Sequence, residues 1–196
     1  MFFLHSRLRA IVKSGLLMVA TLMLTVVVAC ARQTDSVGDV SLDVPPTAEA
    51  VLSGTELAPE ITGNISLTET DEGLLMTGTF ANVPVGMHGF HIHEGGSCAE
   101  EGGAAGGHYN PEDVEHGYLP SMGFDEAHAG DLGNVQVTSD TEETTWTLEV
   151  KGLSLTSGEY AVANRAFILH ADPDDLSQPT GNAGARIACG VIESPS

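Results

Sequence analysis

Histidine is the residue type whose number and spacing in this sequence indicate a functional site. Of the 196 residues, eight are histidine; one is His5, and the others are His88, His91, His93, His108, His116, His128 and His170. Asp131 follows the last but one of these by three positions and adds a carboxylate oxygen. Imidazole suits zinc and copper, and three nitrogens with one carboxylate can form a closed tetrahedral zinc site. The pair His91-Ile-His93 alone would be a weak signal, but the whole set predicts a metal centre.

Short apolar–polar alternations surround these histidines and predict β-strands. The strand candidates are residues 48–52, 61–68, 74–80, 87–93, 135–137, 146–150, 161–170 and 186–192. Turn signals such as Asp71-Glu-Gly73 separate them, and helical periodicity is weak throughout. Several short strands joined by tight turns indicate an all-β fold, which could be an antiparallel barrel or a sandwich.

Two stretches interrupt this strand pattern. Residues 94–130 are rich in glycine and histidine, and residues 171–185 are rich in Asp, Pro and Gly. Long loops inside a compact domain are usually functional, because loops carry binding groups on a rigid scaffold. The metal ligands are therefore expected in or beside these two loops.

The first 29 residues have the order of a secretory signal. Arg7, Arg9 and Lys13 precede an uncharged apolar run that ends in Val27-Val-Ala-Cys30. The run is short for a spanning helix, which needs about 20 apolar residues, and its end resembles the lipobox of bacterial lipoproteins. We therefore predict a lipoprotein-type signal at 1–29, a lipid on Cys30, a flexible tether at 30–47 and a folded domain at 48–196. An uncleaved anchor, or ordinary cleavage that leaves a free Cys30, stays open.

The charge of the chain excludes one class of partner. The sequence contains seven basic and 27 acidic residues. Because three of the basic residues lie in the predicted signal, four remain against the 27 acidic residues, which gives a net charge of −23. Such a protein repels nucleic acid, so no nucleic-acid partner is expected.

Four motifs resemble those of the Cu,Zn superoxide dismutases. They are Gly89-Phe-His-Ile-His-Glu94, Gly107-His-Tyr-Asn-Pro111, His128-Ala-Gly-Asp-Leu-Gly-Asn134 and Gly181-Asn-Ala-Gly-Ala-Arg-Ile-Ala-Cys-Gly190. Their order and spacing agree with the family, and the resemblance spans about residues 48–193. It implies an eight-stranded antiparallel Greek-key β-barrel with two long functional loops.

The resemblance also implies one copper ion and one zinc ion per subunit. Copper would be held by His91, His93, His108 and His170, and zinc by His108, His116, His128 and Asp131, with His108 bridging the two. Asp174 matches the carboxylate that links the free ring nitrogens of His91 and His116. Cys98 and Cys189 match the disulfide within the subunit, and His88 matches no ligand.

The implied activity is the dismutation of superoxide to oxygen and hydrogen peroxide by Cu(II)/Cu(I) cycling. His108 would relay a proton, and the Arg186 guanidinium would place the anion. The resemblance is compatible with a homodimer, and the signal places the protein outside the cytoplasm, anchored by lipid to a bacterial membrane. Two alternatives stay open: a non-catalytic copper-binding or copper-delivery domain on the same fold, and a zinc-stabilised adhesion module.

Overall fold

The structure is a computed structural model that describes residues 44–195. The predicted signal, Cys30 and most of the predicted tether lie outside these residues. The strands are β1 (Thr47–Gly54), β2 (Thr62–Glu69), β3 (Gly73–Ala81), β4 (Gly86–His93), β5 (Asp131–Val137), β6 (Thr144–Lys151), β7 (Ala166–His170) and β8 (Arg186–Val191). The long loop after β4 contains a 3-10 turn at Gly103–Ala105 and the short helix α1 (Leu119–Met122). No helix in this described part is long and apolar enough to cross a membrane.

The eight strands form one antiparallel sheet that curls into a nearly closed barrel. The strand order is β5-β4-β7-β8-β1-β2-β3-β6, and α1 contacts both terminal strands, β5 and β6. Pairs such as β3 with β6 and β1 with β8 join strands that are distant in sequence, which is the Greek-key type of connection. The predicted all-β, eight-stranded antiparallel barrel is confirmed.

The strands on one side of the barrel follow simple alternation. Along β1, every second residue is buried from Ala48 to Leu52, and β3 and β6 show similar patterns. Because successive side chains of a strand point to opposite faces, one face fills the core and the other meets water. Phe90 lies at the aromatic centre of that core, stacked on Phe167 at 5.0 Å and edge-on to Phe80 and Trp146.

The strands on the other side are buried on both faces. All residues of β7 are buried, as are the last six of β4 and the middle four of β8. The inner faces of these strands are covered by the barrel core. Their outer faces are covered by the loops at 94–130 and 171–185. This overlaid surface is where the histidines lie.

Several predicted strand limits were wrong. Strand β7 begins at Ala166 and not at 161, because residues 161–165 form a turn in which Arg165 N donates to the Val162 carbonyl at 3.2 Å. Strand β5 begins at Asp131, before the predicted 135. A bulge opposite Phe90 there includes Gly133 at a φ of 82°, and such a bulge breaks the alternation on which the prediction relied. Strand β1 begins at Thr47, one residue inside the predicted tether.

Candidate metal centre

The end of β4 supplies two histidine rings to the same side of the sheet. His91 and His93 are two residues apart, so they share a face, and both are completely buried. Nε2 of His91 donates to Asp174 Oδ2 at 2.9 Å, and Nδ1 of His93 donates to the Gly106 carbonyl at 3.0 Å. The remaining nitrogens, Nδ1 of His91 and Nε2 of His93, have no hydrogen-bond partner among the described residues. Each ring therefore presents one free nitrogen at a fixed orientation.

Two further histidines complete this first group. His108 forms a β-bridge with His93, and His170 ends β7 with Nδ1 3.2 Å from the Gly184 carbonyl and Nε2 unpaired. The ligand atoms of His91, His93, His108 and His170 all lie within 4.8 Å of one another. Burial, together with the neighbouring rings, lowers the pKa of His108 to about 4 and that of His170 to about 3. These rings are neutral at physiological pH, as metal ligands must be.

Asp131, at the start of β5, is the centre of a second group. Its Oδ1 lies 2.8 Å from Nδ1 of His108 and 3.2 Å from Nδ1 of His128, and its Oδ2 lies 2.9 Å from Nδ1 of His116. Oδ2 also accepts hydrogen bonds from the main-chain N–H groups of Gly117 and His128. Burial alone would raise the pKa of Asp131, but its contacts with the three rings hold that pKa well below the usual range.

A third group joins the first two. The Asp174 carboxylate contacts Nε2 of both His91 and His116, at 2.9 and 3.0 Å. Burial opposes ionisation of Asp174, yet the two ring contacts lower its pKa overall. Asn134 holds this residue from the opposite side, because its side chain exchanges two hydrogen bonds with the Asp174 main chain at 2.8 and 2.9 Å. For His116, burial lowers the pKa, but Asp131 and Asp174 together raise it to about 9.

The unpaired nitrogens show that the residues fit metal ions. Three buried ring nitrogens, on His91, His93 and His170, have no hydrogen-bond partner among the described residues, and Nδ1 of His116 and of His128 lies close to Asp131 without the geometry of a hydrogen bond. Buried polar atoms without partners are rare in folded proteins because they are costly. The first group offers nitrogen ligands only, which suits copper, whereas the second offers three nitrogens and one carboxylate, which suits tetrahedral zinc. All predicted ligands are thus brought together, and His108 belongs to both groups.

Arg186 lies next to the first group at the start of β8. Its Nη1 donates to the Gly102 carbonyl, and its Nη2 donates to the Gly106 carbonyl at 2.6 Å. The Gly106 oxygen therefore accepts from both Arg186 and the ring of His93. Burial lowers the Arg186 pKa, but a guanidinium remains charged in proteins. The result is a fixed cation beside the copper-type ligands.

The two remaining predicted features of the site are also defined. Cys98 and Cys189 form a disulfide across 91 positions of sequence. His88 is buried outside both ligand groups, where its ring lies between the carbonyls of Pro84 and His170 at 2.8 and 2.9 Å. The disulfide fixes the loop that carries Gly102 and Gly106 to the strand that carries Arg186.

Several residues that hold the site were not found from the sequence. The carbonyls of Gly102 and Gly106 orient Arg186, and Gln178 exchanges two hydrogen bonds with the main chain of His116. Gly181 is required by space, since a Cβ there would lie 2.0 Å from Asp174 Oδ1. Main-chain acceptors leave no signal in residue type, but Gly181 and Asn134 stand in the quoted motifs and could have been identified there.

Both the sequence and the fold of this chain are similar to those of known proteins. The family model for copper/zinc superoxide dismutase (SODC) matches residues 61–192. The Cu-Zn extracellular superoxide dismutase of Haemonchus contortus is 41% identical over 151 residues, which cover 74% of this chain and 79% of that protein. The crystal structure of the clock protein EA4 superposes with a TM-score of 0.67 and 39% identity, covering 76% of this chain and 95% of that one.

Proposed function

Since this chain belongs to the copper/zinc superoxide dismutase family, we propose that each of its two ligand groups holds one metal ion for the dismutation of superoxide. Copper is assigned to His91, His93, His108 and His170, and zinc to His108, His116, His128 and Asp131. When bound, copper supplies one-electron redox chemistry, whereas zinc has no redox chemistry and supplies a fixed positive charge. The reaction converts two superoxide ions and two protons to oxygen and hydrogen peroxide.

The observation that carries this assignment is the position of His108. Its Nδ1 lies 2.8 Å from Asp131 in the zinc-type group, so Nε2 is the nitrogen directed to the copper-type group. The contact between Nδ1 and Asp131 holds the ring in place. Nε2 can then carry a proton and give it to the peroxide that forms. We assign His108 as the proton donor for peroxide formation.

Arg186 is the group that binds the anion. Its two hydrogen bonds to main-chain carbonyls fix the guanidinium plane without neutralising its charge. A fixed cation in a half-buried site stabilises developing negative charge more than a mobile surface cation does, because no reorganisation is needed. Arg186 therefore orients superoxide beside the reacting centre.

The alternative of a non-catalytic copper-binding or copper-delivery domain is not favoured, because both the complete copper-type ligand group and Arg186 are present. A zinc-stabilised adhesion module would need only the second group. Metal analysis of the purified mature domain, combined with a superoxide assay, separates the three functions. One copper and one zinc per chain with rapid dismutation supports the assignment, and a fully loaded but inactive protein contradicts it.

The chain is an exported protein, as its extracellular relative and its disulfide both indicate. We propose in addition that Cys30 carries lipid that anchors it to a bacterial membrane. The support is the signal-like sequence before Cys30, together with the count of cysteines: the sequence has three, and the other two, Cys98 and Cys189, pair with each other. Mass spectrometry of the membrane fraction should find a diacylglyceryl-modified N-terminal Cys30; an unmodified N-terminus in the soluble fraction contradicts this.

The assembly that we propose is a homodimer. Val85, just before β4, and Met87, within it, are 60% and 40% exposed, and exposed apolar side chains two residues apart are suited to a contact between subunits. Analytical ultracentrifugation of the lipid-free domain tests this, and a mass of one subunit at micromolar concentration contradicts it.

A further inference from the structure

Three main-chain hydrogen bonds form a closed ring between the metal-ligating segments. Ile92 N donates to the Gly130 carbonyl, Gly130 N to the Tyr109 carbonyl, and Tyr109 N to the Ile92 carbonyl, each at 2.9 Å. The ring leaves no space for a side chain, since a Cβ on Gly130 would lie 2.0 Å from Ile92 O. A displacement at one member therefore transfers to the other two.

Every member of this ring is adjacent to a ligand in the sequence. Ile92 separates two ligands of the copper-type group, Tyr109 follows the shared ligand, and Gly130 precedes the carboxylate; these ligands are His91, His93, His108 and Asp131. The ring thus sets the relative positions of the segments that carry both ligand groups.

Arg165 belongs to neither ligand group, yet it contacts Tyr109, a member of this ring, and Glu94, which lies two residues after Ile92. Its guanidinium carbon lies 3.4 Å from the centre of the Tyr109 ring, and Nη1 donates to the Glu94 carbonyl at 2.9 Å. Nε donates to the Ala161 carbonyl at 2.9 Å, which ties the side chain to the turn before β7. One side chain therefore holds Glu94, which follows His93, and Tyr109, which follows His108.

The contact at Glu94 extends to the neighbouring loop. Glu94 N donates to the Gly107 carbonyl at 3.0 Å, and its carboxylate accepts from Gly107 N at 3.1 Å. The adjacent Gly106 carbonyl orients His93 and Arg186. Holding Glu94 thus also limits movement of the carbonyl that sets the His93 ring.

We propose that Arg165 is a positioning residue that fixes the two copper ligands His93 and His108 relative to each other, through Glu94 and Tyr109. The proposal rests on the proposed function, because it assumes that these histidines bind copper. Only a guanidinium serves here: its planar fork donates to two carbonyls while its face stacks on an aromatic ring, and a lysine ammonium cannot do both.

The test is the copper spectrum of Arg165→Met in the protein loaded with copper and zinc. Groups that orient metal ligands typically affect metal affinity by 10- to 100-fold. We expect the copper dissociation constant, measured by competition with a chelator, to rise about tenfold, and the Cu(II) hyperfine coupling in electron paramagnetic resonance to change. Wild-type affinity and an unchanged spectrum would overturn the proposal.

Two variants at Tyr109 test the same contact without removing the arginine. Tyr109→Phe keeps the ring face and should keep the wild-type spectrum, whereas Tyr109→Leu removes the face and should shift it. If Arg165→Met does not fold, this pair decides the matter, and a wild-type spectrum in Tyr109→Leu overturns the proposal.

Ile65→Ala is the matched control for lost stability. Ile65 is fully buried on β2, away from β4 in the strand order, so this variant should lower the melting temperature without changing the spectrum. A spectral change equal to that of Arg165→Met would show a general effect of destabilisation and overturn the proposal. Metal content and activity of the wild-type sample test the proposed function separately, since neither depends on the result at Arg165.

Discussion

Nε2 of His91 donates a hydrogen bond to Oδ2 of Asp174 at 2.9 Å, and solvent reaches neither side chain. The same carboxylate accepts from Nε2 of His116. One buried residue, supplied by the loop between β7 and β8, therefore connects a proposed copper ligand to a proposed zinc ligand. Its two contacts fix which nitrogen each ring presents to its metal.

Replacing this carboxylate should weaken zinc binding. In Asp174→Asn, the single amide oxygen can accept from only one of the two ring N–H groups, and the NH₂ faces the other ring as a second donor, so that ring loses its acceptor and its orientation. We expect zinc affinity, measured by chelator competition, to fall 10- to 100-fold. Asp172→Asn, an exposed change in the same loop, is the control. Equal zinc affinity in Asp174→Asn and wild type would contradict the linking role.

His108→Ala should abolish the coupled site while the barrel still folds. The side chain is shared by both ligand groups, whereas the core lies between the strands and does not depend on it. We expect weaker zinc binding, a shifted copper absorption band and lost activity, with an unchanged far-ultraviolet circular dichroism spectrum. Full activity with an unchanged copper band would refute the bridging assignment.

Arg186→Ala should reduce the rate far more than the metal content. Arg186 donates to the carbonyls of Gly102 and Gly106 and belongs to neither ligand group. Each 1.4 kcal/mol of lost transition-state interaction lowers the rate about tenfold, and we expect at least that loss in kcat/KM at normal copper and zinc stoichiometry. Arg186→Lys should retain part of the activity, because it keeps the charge. An alanine variant as active as wild type would leave Arg186 as a loop brace only.

Loss of the disulfide should lower the stability of the loaded protein. Cys98 and Cys189 are 91 positions apart, and for a loop of that length the chain-entropy model gives about 4–5 kcal/mol as an upper value. We expect the Cys98→Ser, Cys189→Ser double variant to unfold at a clearly lower denaturant concentration, with activity falling as the Gly102–Gly106 segment loosens around Arg186. Reduced wild-type protein is the control and should match the variant. Equal denaturation midpoints for variant and wild type would contradict this prediction.

The rate should not fall steeply with added salt. Superoxide is an anion, and the chain without its predicted signal carries a net charge of −23. Lys151 is paired with Glu72, and the loop near the site exposes Asp172 and Asp175. Since salt screens charges beyond about 8–10 Å, added salt should leave the bimolecular rate constant flat or raise it. Pulse radiolysis across ionic strength measures this, and a steep fall would require a positive funnel near the site.

The sequence by itself determined the all-β class, the two loops and the ligand types. Apolar and polar residues alternate at 74–80 and 146–150 because each of these strands has one face in the core and the other in water. This pattern is complete within a single strand and can therefore be recognised from the sequence. Glycine and histidine are frequent at 94–130, and Asp, Pro and Gly are frequent at 171–185, and no strand forms in either segment. The strand limits at 131 and 166 were missed, since a bulge and a turn there override the local pattern.

Only the tertiary structure decided how the ligands act. Which nitrogen of His91 is free depends on Asp174, 83 positions away, and the orientation of Arg186 depends on a carbonyl 80 positions away. The ring of hydrogen bonds through Ile92, Tyr109 and Gly130 uses main-chain groups that every residue carries. Such roles leave no mark on residue type, because they are set by which segments the barrel brings together.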